Sequence, residues 1–131
     1  MSESERPMQA NPDDRERTRI ERSIATRLAE ASDAGNVGVV RLSKLRLAAL
    51  RFAYEGTSDQ HSRLAAFDNT RPQGSVDPLA VAEVVYGKEA HTEALLALFG
   101  VADVTEDEAD FFVSNVTADA WALAHGEGIE R

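Results

Sequence analysis

The chain has 131 residues, of which 43% are hydrophobic, with one tryptophan, two tyrosines and five phenylalanines, enough for one apolar core and too little for two full domains. It carries 14 basic and 23 acidic side chains, a formal net charge of −9, and no cysteine, which excludes thiol catalysis, disulfide frameworks and cysteine-based zinc sites. No stretch approaches the roughly 18 apolar residues of a membrane span, and the polar opening "MSESERPMQANPDDRER" has no apolar segment of the secretory kind, so the expectation is a soluble chain in the cytoplasm, or in a particle assembled there.

Charge is divided along the chain. Residues 1–54 hold ten basic and eight acidic side chains, whereas residues 72–131 hold two basic and twelve acidic ones. Such asymmetry suits an electrostatic partner or the packing of identical subunits. All the basic residues but Lys44 and Lys88 are arginine. Arginine forms bidentate ion pairs and suits interfaces, although a GC-rich genome gives the same bias.

Residues 1–10 read as a polar tail ahead of a single helical domain over 11–131. Asn11 is a candidate N-cap, with Pro12 at the first helical position and Asp13 and Asp14 in the first turn, all favouring a helix start. Behind them Ile20, Ile24, Leu28 and Ala31 make one narrow apolar stripe on a charged helix. Residues 11–31 therefore read as an amphipathic arm whose partner is another chain or its own domain. Arg17, Ile20, Ile24, Arg27 and Leu28 are its candidate interface residues.

The segment "SDAGNVG" has turn chemistry, and the β-branched run over 37–42 is consistent with a short strand. From Ser43 a helix is expected, with Leu45, Leu50 and Phe52 inside. A third helix runs from Thr57 or Ser58 through Phe67, and "DNTRPQGS" is a loop. Asp77 then caps a helix with Pro78 at its first position, ended by Gly87. "KEAHTEALLALFG" is a fifth helix closed by Gly100.

In "VTEDEADFFVSNVTADAWALAHG", residues 104–126, the pairs Val104-Thr105 and Val116-Thr117 each precede acidic residues and an apolar run. Thr105 with Glu108 is a capping box, and Thr117 reads as the cap of a second short helix that buries Trp121 and ends at Gly126. The expected fold is all-α, a bundle of about five to seven short helices whose core includes Leu45, Phe52, Leu95, Phe99, Phe112 and Trp121.

No cofactor, metal or catalytic constellation emerges. Counted from Asp103, a calcium loop would need glycine sixth and a bidentate acid twelfth, but Glu108 and Ser114 stand there. Glu89, His91 and Glu93 alternate along a helix and diverge, while His125, beside Gly126, suits a helix C-terminus. The functional expectation is a non-catalytic structural or adaptor subunit that packs against other proteins as a homo-oligomer or in a larger assembly; a virion connector or similar particle component fits. The alternative is a helix-turn-helix DNA-binding regulator spanning Ser43–Phe67, with Arg41, Lys44, Arg51 and Arg63 on phosphates. Net charge −9 disfavours it.

Overall fold

Side-chain caps and turn glycines set most of the helix boundaries. The computed structural model describes residues 12–71 and 74–129 as six α-helices: α1 (Pro12–Asp33), α2 (Val37–Glu55), α3 (Ser58–Thr70), α4 (Pro78–Tyr86), α5 (Thr92–Phe99) and α6 (Glu106–Ala124). No strand occurs among the described residues. The polar tail and the Asn11 cap lie outside them.

The strand expected near 37–42 is instead the first turn and a half of α2. α1 ends in a Schellman motif: Gly35, at φ +71°, donates its N–H to Ser32 O, and Asn36 donates to Ala31 O at 2.8 Å. The side chain of the same Asn36 then accepts the N–H of Val39 and caps α2. One residue thus closes a helix and opens the next, and the β-preference of Val37, Val39 and Val40 yields to that context.

The 104–126 segment is one helix rather than two. The Thr105–Glu108 capping box is present in both directions, but Thr117 lies mid-helix and turns its hydroxyl back onto Val113 O at 3.0 Å. Asp77 and Pro78 start α4 as expected, and Gly87 and Gly100 cap α4 and α5. α3 runs three residues past Phe67, to Thr70, and α5 starts late, at Thr92, after a turn at Gly87–Ala90.

α2 is the central helix, with α1 on one side and α6 and α5 on the other; α3 and α4 complete the bundle against α6. The main core surrounds Phe112, which meets Phe99 edge-on at a centroid distance of 4.7 Å and Phe52 at 6.5 Å. Leu45, Phe99 and Phe112 are buried, and Phe52 and Leu95 are packed against them half-buried. Trp121 is not a core residue: its relative exposure is 55%. A second, smaller cluster joins Ile20 and Ile24 of α1 to Leu50 of α2 and to Ile129 beyond α6. The apolar stripe of α1 therefore finds its cover within the same chain.

Candidate protein-docking surfaces

Two concave surfaces among the described residues are large enough to take a partner's side chains. The first runs between α3 and α6, where the facing positions Ala65, Ala120 and Ala124 are too small to close the gap. The resulting groove has a volume of about 480 Å³. Trp121 stands on its rim, stacked on His125 with centroids 4.0 Å apart. His125 donates from Nδ1 to Trp121 O at 2.9 Å, so the expected role of this histidine at a helix C-terminus holds, and it also braces the indole. His61 also lines the groove and donates from Nε2 to Phe52 O at 3.0 Å. Asp68, on the α3 wall, is held by Arg71 Nε at 2.7 Å.

Arg71 fixes the spacing of the two groove walls. Its guanidinium also reaches Asp110 and Ser114 of α6 and the carbonyl of Gly74. Burial opposes its charge, but Asp68 and Asp110 outweigh that cost and raise its pKa further.

The second surface is a cleft of about 370 Å³ between α2, α4 and α5. Its walls include Phe52, the exposed Tyr86 and Leu96, and Arg51. The partial burial of Tyr86 pushes its hydroxyl pKa up. The cleft narrows at Gly100, whose φ of +79° is left-handed and where a Cβ would lie 3.4 Å from both Lys44 O and Ala48 Cβ. Glycine there lets the end of α5 rest against α2.

The candidate interface residues of α1 are distributed differently from their sequence pattern. Ile20 and Ile24 are buried against α2, Leu28 is half-buried and Arg27 is exposed. Arg17 pairs with Glu21 at 3.2 Å and with Glu55 of α2, and its cation lies 5.2 Å from the Tyr54 ring centre. Hydrogen bonding to Glu55, against the opposing effect of burial, raises the Arg17 pKa.

The four cations of the helix-turn-helix alternative separate into two kinds. Arg41 grips Glu108 through two nitrogens, at 2.6 and 2.8 Å, and also reaches Asp103. Arg63 pairs with Asp59 at 3.2 Å. Lys44 and Arg51 are exposed and make no ion pair among the described residues. α3 packs chiefly on α4 and α6 rather than on α2.

The Arg41 hydrogen bonds, opposed by burial, hold the Glu108 carboxyl down at about 2, below its ordinary 4.5. A depressed folded-state pKa means that the stabilisation is complete above the unfolded value and is lost as pH falls from about 4.5 towards 2. Melting followed across that window is expected to show a loss of about 1–2 kcal/mol, discounted for the solvent at the edge of the pair. In Glu108→Gln, which keeps the capping geometry, that part of the pH dependence is expected to disappear.

Sequence reasoning missed both concave surfaces. The alanines of the first lie on two helices far apart in the chain, and the second is assembled from α2, α4 and α5, which no local signal joins. Among the described residues no group of three or more histidine, aspartate and glutamate side chains is placed to hold a metal ion, and no helix is long and apolar enough to cross a membrane. No family model, curated protein or solved structure matches the chain.

Proposed function

We propose that this protein is a non-catalytic adaptor or structural subunit, and that it docks a protein partner in the α3/α6 groove with Trp121 as the anchor. The carrying observation is the chain's only tryptophan standing 55% exposed beside a groove of about 480 Å³. Leaving an indole in water forgoes one of the largest apolar burials a side chain offers. Tryptophan is enriched among the few residues that dominate binding energy, and on complex formation those fill well-packed pockets from which water is excluded. The groove follows α6 from Val116 to Ala124, a length of about 12 Å at 1.5 Å per residue. It accommodates two turns of an amphipathic helix in the helix-in-groove mode.

In this reading the assembly is a cytoplasmic complex, or a particle built in the cytoplasm such as a virion. The intramolecular Arg17, Arg41 and Arg71 pairs supply rigidity rather than partner contacts. Trp121→Ala and Ala124→Arg test it. Both side chains are exposed, so each variant is expected to melt within about 1 kcal/mol of the parent. Each is also expected to weaken assembly by about 2 kcal/mol or more, roughly thirtyfold. Light scattering after size exclusion, alone and in an extract of the source, reads the second effect. Variants that melt normally and assemble normally would overturn the assignment of this groove. Tight, salt-sensitive retention on duplex DNA, lost in Lys44→Ala and Arg51→Ala, would favour the regulator instead.

A further inference from the structure

We propose that the α2/α4/α5 cleft is a second docking site, and that its occupant is an acidic amphipathic protein segment. This inference is independent of the α3/α6 groove and stands on different residues. The first observation is apolar. Tyr86 and Leu96 are large, face solvent at 45% and 53% relative exposure, and flank the same cleft as the half-buried Phe52.

The second observation is electrostatic, and it decides the occupant. Of the cations of α2, α3 and the α3 C-cap, Arg41 pairs with Glu108, Arg63 with Asp59, and Arg71 with Asp68 and Asp110, while Arg46 lies over the Phe111 ring at 5.8 Å. Arg51 lines the cleft with no ion pair among the described residues. Lys44, seven residues earlier, projects from the same face of α2, because seven residues are close to two turns. The carboxylate that shares the cleft wall, Glu55, is engaged by Arg17. The rim thus presents uncommitted positive charge beside exposed apolar rings on a chain of net charge −9. An acidic segment with a bulky apolar face complements both, the apolar side chains supplying affinity and the carboxylates fixing orientation and on-rate.

A synthetic amphipathic peptide with leucine and phenylalanine along one face and glutamate on its flanks is the probe, titrated into the isotope-labelled full chain. The expected result is binding that weakens as salt rises, with amide signals shifting around Arg51, Tyr86 and Leu96. The same peptide with glutamine for glutamate is expected to bind roughly tenfold more weakly, as is the acidic peptide to Arg51→Glu. Arg51 is exposed, so unchanged melting of the variant keeps the comparison clean. Leu96→Ala gives a second variant that keeps every charge. Absence of binding at millimolar peptide, equal affinity for the glutamine peptide, or shifts confined to Trp121 and its neighbours would each overturn the proposal. Self-association lost in Arg51→Glu, with the peptide unbound, would assign the cleft to a second copy of the chain and overturn it too.

Discussion

Phe112→Ala is expected to remove a large share of the stability of the fold. Phe112 is wholly buried, sits between Phe99 and Phe52, and belongs to the cluster that joins α2, α3, α4, α5 and α6. Truncating such a ring costs about 3–5 kcal/mol in lost transfer energy and residual cavity. A domain of ordinary stability has about 5–15 kcal/mol in all. Chemical denaturation is expected to show a midpoint far below the parent's with an unchanged slope, the sign of lost stability rather than an altered unfolded state. A loss under 1 kcal/mol would mean that the two aromatic contacts do not form.

The second large effect is expected from Ile24→Asp. Ile24 is 1% exposed and packs with Ile20, Leu50 and Ile129. The substitution removes a buried apolar side chain and places an unpaired carboxylate in its site, a cost of about 3–5 kcal/mol. The outcome is expected to be release of α1 rather than global unfolding, because the main core contains no residue of α1. Hydrogen exchange reads this directly: protection of α1 amides is lost while α2 and α6 remain slow. Unchanged protection of α1 would contradict its packing on α2, and loss of protection throughout would show that the small cluster supports the whole fold.

The sequence is most legible where a local device decides the structure. Asp77 with Pro78, Thr105 with Glu108, and the glycines at 87 and 100 mark helix ends because each satisfies orphan backbone groups with its own side chain or φ. The all-α class follows from these and from the apolar spacing. The misreadings share one origin, in that a local preference was overruled by its neighbours. Val37–Leu42 favours a strand by composition, but Gly35 and Asn36 commit the chain to a helix first.

The repeated Val-Thr pair misplaced Trp121 in the same manner. A break at Thr117 would turn Trp121 inward, whereas in one continuous helix it lies five residues from the buried Val116, about 140° round the axis. That rotation carries the indole off the core stripe and onto the groove rim. The groove itself was illegible, because it exists only where Ala65 meets Ala120 and Ala124, from helices joined by no local signal. The α1 stripe was legible as apolar, but the choice between its own chain and another as its cover was not, since Leu50 and Ile129 are distant in sequence.

The proposed adaptor function rests on Trp121 in the α3/α6 groove as the partner contact, and the single tryptophan of the chain makes that contact directly measurable. Tryptophan emission and its quenching by iodide are to be recorded for the free protein and for the complex or oligomer isolated by size exclusion. The indole is expected to be readily quenched in the free chain and to become shielded, with emission moved to shorter wavelength, when the assembly forms. An assembly in which Trp121 stays as red-emitting and as quenchable as in the free chain would contradict the account.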